Sequence, residues 1–248
     1  MRVAVVGATG RIGRATAAAL EGAGHEVVPI SRSVGVDVLS GQGLTEALAG
    51  VDAVVDASNT PSQDEREIVE FFGTATRNLL AAEQSAGVRH HVLLSIVGLD
   101  HGQRVPHYAG KRTQEKLVRA GSVPFSIVRA TQFHDFAAMV AGWAEQDGTA
   151  TIAPLLVQPI APGDVGEFLA EAATSEPTNG TRDVAGPDTH DLVDMARRTY
   201  AARGREIRLV PTWRGNFDTS MAGEVLLPGP DARLGRTTFD AWLAAGAN

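Results

Sequence analysis

Short apolar runs alternate along the chain with longer stretches in which apolar residues recur every three or four positions. The runs are rich in Val, Ile and Ala without polar alternation, which is typical of strands buried on both faces of a parallel sheet. They lie at residues 3–6, 26–30, 34–38, 53–57, 91–96 and 124–128. The amphipathic stretches predict helices at residues 14–23, 44–48, 68–86 and 106–119. This order predicts repeated βαβ units and an α/β fold with a doubly wound parallel sheet.

The pattern becomes looser after about residue 130, although further elements can still be predicted. Helices are expected at residues 133–144, 164–173, 191–202 and 237–243, and strands at residues 149–152, 181–185 and 207–211. No repeat and no low-complexity linker interrupts this part. We therefore expect one domain over residues 1–248, with residues 1–130 as its core and residues 131–248 mostly as a small C-terminal cap plus a late strand of the sheet.

A glycine-rich turn stands between the first predicted strand and an alanine-rich helix. Its glycines are Gly7, Gly10 and Gly13, and Ala8 makes the spacing G-x-x-G-x-x-G instead of the usual G-x-G-x-x-G. Strand, glycine turn and helix in this order bring unpaired N–H groups and a positive helix end to one point, which attracts phosphate. The turn therefore predicts a dinucleotide site, with an ordinary strand-to-helix turn as the alternative.

The end of the second predicted strand carries Ser31 and Arg32, about twenty residues after the glycines. An acidic residue at this position would favour NAD by binding the ribose 2′-hydroxyl. Arg32, together with Arg11 of the glycine turn, suits a 2′-phosphate instead. The sequence therefore favours NADP(H) over NAD(H), and the alternative is that Arg32 is a solvated loop charge.

Ser95 ends the fifth predicted strand, and Tyr108 and Lys111 lie on the next helix. A tyrosine hydroxyl can protonate a developing alkoxide, an ammonium lowers its pKa and binds a ribose, and a serine can orient a carbonyl. These residue types favour redox chemistry between a hydroxyl and a carbonyl. His107 stands four residues before Lys111, so either Tyr108 or His107 could handle the proton. In the alternative interpretation, Ser95 satisfies backbone groups and Tyr108 only packs.

Composition excludes several functions. The chain has a net charge of −7 and no cysteine, which argues against nucleic-acid or anionic-membrane binding and excludes thiol chemistry. His90 and His91 lack the carboxylate spacing of a metal site, so no metal is expected. With no signal-like segment before the first strand and no apolar run of membrane-spanning length, we expect a cytoplasmic protein.

Apolar and polar residues after the sixth predicted strand are candidates for a substrate pocket. Phe133, Phe136 and Met139 recur at helical spacing and either line an apolar pocket or belong to the core. His134 and Asp135 either face a cleft or form a charged pair at a helix start.

Four segments together resemble the NmrA-like group of atypical short-chain dehydrogenases/reductases. They are Gly7–Gly13, Leu93–Gly98, Tyr108–Lys111 and Arg129–Phe133. The resemblance extends over essentially the whole chain, including Phe239–Leu243. It implies a Rossmann fold that binds NAD(P), with a smaller C-terminal region on the substrate side.

The resemblance also implies roles for individual residues. The cofactor would be held by Gly7, Ala8, Thr9, Gly10, Arg11, Ile12, Ser31, Arg32, Val38, Ala57, Ser58, Asn59, Ser95, Lys111, Ala130, Thr131 and Phe133. The substrate pocket would be lined by Val97, Gln132, His134 and Phe136. Within the cofactor set, Lys111 would meet the nicotinamide ribose.

One motif of the wider superfamily is altered, because His107 occupies the tyrosine position of Tyr-x-x-x-Lys. NmrA-like proteins include reductases and also cofactor-binding regulators without catalysis. We expect an NADP(H)-dependent oxidoreductase that acts on a small or aromatic carbonyl or hydroxyl substrate. The alternatives are a redox-sensing regulator that binds a protein partner and a tailoring enzyme with isomerase or oxygenase-like chemistry, and a homodimer is compatible with each.

Overall fold

Strands and helices alternate along the first half of the chain, as the hydrophobic pattern predicts. The computed structural model describes residues 1–101, 105–214 and 217–246. Its strands are β1 (Arg2–Val6), β2 (Glu26–Ile30), β3 (Ala53–Asp56), β4 (His90–Ile96), β5 (Phe125–Ala130), β6 (Glu145–Gln146), β7 (Thr149–Ile152), β8 (Leu156–Val157), β9 (Gly180–Ala185), β10 (His190–Asp191), β11 (Arg208–Pro211) and β12 (Arg233–Leu234). Its α-helices are α1 (Arg11–Gly22), α2 (Leu44–Ala47), α3 (Glu65–Ala86), α4 (Pro106–Ala120), α5 (Phe136–Trp143), α6 (Pro162–Thr174), α7 (Leu192–Ala202) and α8 (Phe239–Ala244).

The largest sheet of the described chain is parallel and has seven strands in the order β12-β9-β5-β4-β3-β1-β2. β1 lies between β2 and β3, so that Val6 pairs with Ile30 on one side and with Asp56 on the other. The residues of β1 and β3 are apolar almost throughout because both faces of these central strands are buried. The predicted Rossmann-type α/β fold is confirmed.

The chain divides into two compact units. The first comprises Met1–Ile96, Pro106–Arg129 and Pro162–Arg182, and the second comprises Val97–Val105, Ala130–Ala161 and Asp183–Asn248. The first unit contains β1–β4, most of β5 and the helices α1–α4 and α6.

In the first unit, helices α3 and α4 pack at very short range. A Cβ at Gly110 of α4 would lie 2.4 Å from Cδ2 of Phe72 and 2.6 Å from Cγ2 of Ile68, both on α3. Glycine is therefore needed at position 110 for this contact. The close approach fixes the next residue, Lys111, beside the Phe72 ring.

In the second unit, β7 pairs with β6 in antiparallel and with β11 in parallel orientation, while β12 pairs in parallel with the last residues of β9. The C-terminal helix α8 contributes the buried Phe239, whose ring centroid lies 5.2 Å from that of His190. Aromatic packing of this kind fixes α8 within the unit.

The strand predicted at residues 34–38 does not form. Arg32–Val34 makes a 3₁₀ turn that ends at Gly35, whose φ of +80° is left-handed. Asp37 then accepts from the backbone N–H of Leu39 through Oδ1, at 2.9 Å. Alternating valines imitate a strand, but the glycine and the aspartate between them favour turns. β2 is consequently the end strand of the sheet.

Over residues 1–101, 105–214 and 217–246, no helix has the length and apolar character needed to span a bilayer.

Candidate functional site

The loop between β1 and α1 is packed closely against the end of β3. Gly7 has a φ of +73°, and a Cβ there would lie 2.7 Å from the carbonyl oxygen of Ala57. A Cβ at Gly13 would lie 2.1 Å from the carbonyl oxygen of Gly7. The tight turn and the close packing of helix on loop therefore both require glycine, as the motif predicts.

The amino end of α1 is open to a ligand. Gly10 precedes the helix in an extended conformation, no side chain of the described chain caps it, and its first turn has no acidic residue. Thr9, Gly10 and Arg11 are exposed, whereas Ala8 and Ile12 are buried. The Gly10 N–H donates to the Gly7 carbonyl at 2.8 Å, which closes the turn. The exposed, positive end of a twelve-residue helix attracts phosphate, so this loop fits the pyrophosphate of a dinucleotide.

The carboxyl end of β2 presents polar groups to solvent. Arg32 is exposed, and the hydroxyls of Ser31 and Ser33 on either side of it share a hydrogen bond of 2.8 Å. Val38 differs from these residues, because it packs partly buried against the apolar core and its carbonyl accepts from Nδ2 of Asn78 at 2.9 Å.

The carboxyl end of β3 carries a buried hydroxyl. The Oγ atom of Ser58 has no hydrogen-bond partner among the residues that the structure describes, and its backbone N–H donates to Oδ1 of Asp56 at 2.9 Å. Asn59 beside it is exposed and accepts from the N–H of Thr60. Leaving a buried hydroxyl unpaired costs free energy, so a polar ligand atom at Ser58 would be stabilising.

Ser95, near the end of β4, is bonded to a buried carboxylate. Its hydroxyl donates to Oε1 of Glu115 at 2.6 Å, and Glu115 also accepts from Nε and Nη2 of Arg129, each at 2.8 Å. Burial acts to raise the pKa of Glu115, but the bonds from Arg129 and Ser95 outweigh it and lower the pKa below its ordinary value. Glu115 is therefore an anion held by its neighbours.

Lys111 of α4 is a buried ammonium, with 4% of its surface exposed. Its Nζ donates to the carbonyl oxygen of Leu94 at 2.9 Å and to Oε1 of Gln114 at 2.7 Å. Burial lowers the pKa of Lys111 to about 8, although the charges of Asp56 and Glu115 act to raise it. A buried cation with a lowered pKa is typical of a functional lysine.

His107 and Tyr108, one turn before Lys111, have different surroundings. The His107 ring meets the Phe72 ring edge-on at 5.4 Å, and the Lys111 ammonium lies 4.6 Å from the centroid of the same ring. Burial and the charge of Lys111 lower the pKa of His107 to about 4, so its imidazole is neutral at pH 7. Tyr108 is buried, with 7% of its surface exposed.

In the second unit, the predicted residues after β4 and β5 are joined through the backbone. The N–H of Val97 donates to the carbonyl of Ala130 at 2.9 Å. The hydroxyl of Thr131 donates a hydrogen bond to the carbonyl oxygen of Gln158 at 2.6 Å. Phe133 forms an isolated bridge with Ile160. Val97 and Ala130 are thereby brought together, and Thr131 and Phe133 are fixed to the segment that follows β8.

The remaining predicted pocket residues of this unit differ in their contacts. Both amide atoms of Gln132 are buried and have no partner in the described part of the chain. His134 is buried with its Nε2 3.1 Å from the carbonyl of Thr237, and its ring lies 5.7 Å from that of Trp242. The Phe136 ring packs edge-on against Phe217. His134 thus packs against the C-terminal segment. The Gln132 amide, in contrast, could hydrogen-bond to a polar atom of a ligand.

Ser95 and Lys111 form a polar cluster in the first unit with three residues that the sequence pattern did not indicate, Asp56, Gln114 and Glu115. Asp56 is the single charge in the apolar run of β3, and this exception is the signal that could have identified it. Gln114 and Glu115 stand three and four positions after Lys111, on the same face of α4. Their bonds to Lys111 and Ser95 depend on the tertiary structure.

The paired histidines at the start of β4 have internal partners. His91 Nδ1 lies 2.8 Å from Oε1 of Glu83, and both side chains are fully buried. His90 Nε2 lies 2.9 Å from the hydroxyl of Ser126. Within the described ranges, no three His, Asp or Glu side chains are grouped so that they could hold a metal ion.

Comparisons with known proteins agree with this geometry. A family model described as NAD(P)H-binding matches residues 7–176. The chain is 31% identical over 147 residues to the photosystem II assembly factor Ycf39 of Synechocystis sp., which covers 54% of this chain and 45% of that protein, so the chain spans less than half of its length. It is 29% identical over 225 residues to a (4-alkanoyl-5-oxo-2,5-dihydrofuran-3-yl)methyl phosphate reductase of Streptomyces griseus, which covers 83% of this chain and 75% of that enzyme.

A solved structure shows the same fold over nearly the full length. It is an NADPH-dependent quinone oxidoreductase from Escherichia coli, with a TM-score of 0.71, 15% identity, and coverage of 99% of this chain and 100% of that chain. The family match confirms the NAD(P)-binding relation that the resemblance implies. The chain belongs to the NAD(P)H-binding family.

Proposed function

We propose that the protein is an NADP(H)-dependent reductase of a small carbonyl or α,β-unsaturated carbonyl compound. The observation that carries the proposal is the buried Lys111 ammonium, held by Leu94 and Gln114 in the unit that also contains the open amino end of α1. Buried lysines of lowered pKa are concentrated at functional sites. When bound, NADP(H) supplies or accepts a hydride.

The glycine loop and the strand ends of the first unit would hold the dinucleotide. The exposed amino end of α1, at the positive end of its dipole, suits the pyrophosphate, and the unpaired Ser58 hydroxyl suits a polar atom on the adenosine side. Arg32 and Arg11 are both exposed guanidinium groups, which supports a 2′-phosphate and hence NADP(H).

Lys111 would bind a ribose hydroxyl. A lysine ammonium has three N–H groups, and Lys111 donates two of them to Leu94 and Gln114. Among the described residues, this leaves one N–H for a ligand oxygen. Two fixed bonds orient the third, so the ammonium needs little reorganisation on binding.

Tyr108 is the better candidate for the proton donor. The pKa of His107 is lowered to about 4, so at pH 7 its imidazole is neutral and has no imidazolium proton to donate. A tyrosine hydroxyl beside a lysine can give its proton to the substrate oxygen as hydride reaches the carbon. In a reduction, one hydride and one proton are then added, and the tyrosine regains its proton from water.

The substrate class is proposed from the second unit and from a relative. The unpaired buried amide of Gln132 supports a substrate with a polar oxygen, and Phe136 and Val97 supply apolar contact surface. The Streptomyces griseus relative is named as a reductase of a dihydrofuranone methyl phosphate. We therefore propose an unsaturated ring ester or a related enone as the substrate class for this chain.

Purified protein, NADPH or NADH, and a panel of enones, dihydrofuranones and simple carbonyl compounds test the proposal. Oxidation of NADPH at 340 nm, with formation of the reduced product, is expected for at least one compound. Lys111→Met is expected to lose turnover. Lys116→Met, which changes an exposed lysine on the same helix, is expected to keep it. NADPH binding without oxidation across the panel contradicts the reductase proposal.

The Ser95 bond favours a second candidate function. The Ser95 hydroxyl donates its hydrogen bond to Glu115 inside the protein and not to a substrate. This arrangement suits a site that binds a cofactor without reacting. The chain would then be a sensor of the NADP(H) redox state that binds a protein partner, and its relative in Synechocystis is named as an assembly factor. Calorimetry with NADP⁺ and NADPH separates the two candidates, because a sensor requires different affinities, and these persist in Tyr108→Phe.

A further inference from the structure

A buried glutamine joins the Lys111 ammonium to a carboxylate of the neighbouring strand. Oε1 of Gln114 accepts from Nζ of Lys111 at 2.7 Å, and Nε2 of Gln114 donates to Oδ2 of Asp56 at 2.7 Å. The exposed fractions are 0% for Gln114, 1% for Asp56 and 4% for Lys111. Three buried side chains thus form one continuous chain of hydrogen bonds between α4 and β3.

Both ends of this chain are anchored to the backbone. Asp56 accepts from the N–H of Ser58 at 2.9 Å, and Lys111 donates to the carbonyl of Leu94 at 2.9 Å. An ammonium can only donate and a carboxylate can only accept, so the Gln114 amide fits between them in one orientation. The amide oxygen faces the lysine and the amide nitrogen faces the aspartate.

We propose that Gln114 is a positioning residue that holds the Lys111 ammonium near the carboxyl end of β4 and links it to the Asp56 carboxylate. The contact of Lys111 with a cofactor ribose rests on the proposed function, whereas the link from Asp56 through Gln114 to Lys111 does not.

The charged and titratable groups around Lys111 explain why the link matters. Asp56 faces it from β3, and Glu115 and His107 belong to its own helix. The Glu115 carboxylate accepts hydrogen bonds from Ser95, Arg129 and Arg119, and the His107 imidazole is neutral at pH 7. Asp56, acting through Gln114, is therefore the anion whose effect reaches the ammonium most directly.

Substitutions at position 114 separate this role from simple packing. Gln114→Met keeps a similar volume but removes the acceptor and the donor, which disfavours the charged form of Lys111. In Gln114→Glu the new carboxyl group still accepts from Lys111, and it shares a proton with the Asp56 carboxylate, because two carboxylates 2.7 Å apart do not both ionise. This variant therefore keeps the chain of hydrogen bonds, whereas a residue that only fills space would give the same Lys111 midpoint in both variants.

The chain allows a direct measurement, because its sequence contains just two lysines, Lys111 and Lys116. Protein labelled with [ε-¹³C]lysine gives two side-chain signals, which Lys116→Arg assigns, and Lys116 is exposed and serves as the internal reference. The protein without cofactor is titrated from pH 6 to 11 as wild type, Gln114→Met and Gln114→Glu. We expect the Lys111 midpoint to fall by about one pH unit in Gln114→Met and to stay at the wild-type value or above it in Gln114→Glu.

Two controls make the outcome decisive. Gln84→Met alters an exposed glutamine of α3 and is expected to leave the Lys111 midpoint unchanged. If Gln114→Met does not fold, Asp56→Asn tests the other end of the chain of bonds, and its Lys111 midpoint is expected to fall because the linked anion is removed. An unchanged Lys111 midpoint in folded Gln114→Met, or in folded Asp56→Asn, overturns the proposal.

A parallel binding experiment distinguishes this proposal from the proposed function. NADPH affinity at pH 7.5 is expected to weaken about tenfold in Gln114→Met and to be largely restored in Gln114→Glu. If wild type binds no NADPH while the midpoints shift as expected, the proposed function fails and the role of Gln114 stands. If wild type binds NADPH and the midpoints do not move, the role of Gln114 fails and the proposed function stands.

Discussion

The Ser95 hydroxyl donates a hydrogen bond of 2.6 Å to Glu115, whose carboxylate is also held by two N–H groups of Arg129. A longer bond of 3.4 Å comes from Nη2 of Arg119. Hydrogen bonds that involve an ion are stronger than neutral ones, and those from Ser95, Arg129 and Arg119 converge on this buried carboxylate. They join β4, α4 and β5 in the first unit. The Ser95 hydroxyl, which the sequence predicts to orient a substrate, thus forms a structural hydrogen bond inside the protein.

Ser95→Ala is expected to lower the free energy of unfolding by about 1.5–3 kcal/mol, because Glu115 loses a donor in a buried position. Urea denaturation followed by circular dichroism measures the change. Ser85→Ala, which removes an exposed hydroxyl bonded to the carbonyl of Ala81 on α3, is expected to change stability by less than about 0.5 kcal/mol. Equal effects of the two substitutions would show that the bond to Glu115 adds nothing.

Gly13→Ala is expected to destabilise the fold by about 1–3 kcal/mol and to abolish measurable NADPH binding, because the new Cβ would lie 2.1 Å from the Gly7 carbonyl. Gly22→Ala is the matched control on the same helix, since nothing lies within 4 Å of a Cβ there. It is expected to keep cofactor affinity and to change stability by less than about 1 kcal/mol. Thermal unfolding and calorimetry measure both variants, and normal NADPH binding by Gly13→Ala contradicts the assigned loop.

Arg32→Ala is expected to weaken NADPH binding at least about tenfold and to leave NADH binding within about twofold, because the exposed guanidinium would meet only the 2′-phosphate. Arg66→Ala removes an exposed arginine from α3 and controls for the change in net charge. Dissociation constants from fluorescence titration give the ratio. An equal loss of affinity for NADPH and NADH would refute the assignment of Arg32 to the 2′-phosphate.

His90 makes the stability sensitive to acid. Burial, assisted by the charge of His91, lowers the pKa of His90 from 6.5 to about 4. The unfolded chain therefore binds a proton at higher pH than the folded chain, so the contribution of neutral His90 is complete above about pH 6.5 and is lost as the pH falls towards 4. We expect this loss to reach about 3 kcal/mol.

Urea denaturation between about pH 4.5 and 7.5 measures this effect. His90→Gln is expected to flatten the dependence of unfolding free energy on pH, whereas His101→Gln, at an exposed position, is expected to keep the slope of the wild type. His107 acts in the same direction, because burial also lowers its pKa, and some slope therefore remains in His90→Gln. The same slope in wild type and His90→Gln is the result that contradicts this prediction.

The central strands could be predicted because burial on both faces leaves a plain signature. Val3–Val6 and Ala53–Val55 read as apolar runs, and both are strands of the sheet. Residues 34–38 carry a similar signature but form turns, since the left-handed Gly35 and the side-chain bond of Asp37 are local effects that outweigh the valines. The short strands β6, β8 and β12 span two residues each, too few for any periodicity.

The candidate site divides in a similar way. The glycines follow from sequence because the loop they form is local, within seven residues of chain. The bond from Gln114 to Asp56 joins residues 58 apart, and no pattern around either residue indicates the other. Long-range polar contacts of this kind depend on how α4 lies against the sheet, which hydrophobic periodicity does not specify.

The packing of His134 beneath the C-terminal segment has a practical consequence for protein production. Its ring lies 5.8 Å from Phe239 and 5.7 Å from Trp242, and its nitrogen meets the carbonyl of Thr237. A shortened protein that ends before residue 237 would lose these contacts to His134 and would expose an apolar surface that favours aggregation. Recombinant versions of the protein should therefore retain the chain through α8 and carry any affinity tag beyond it.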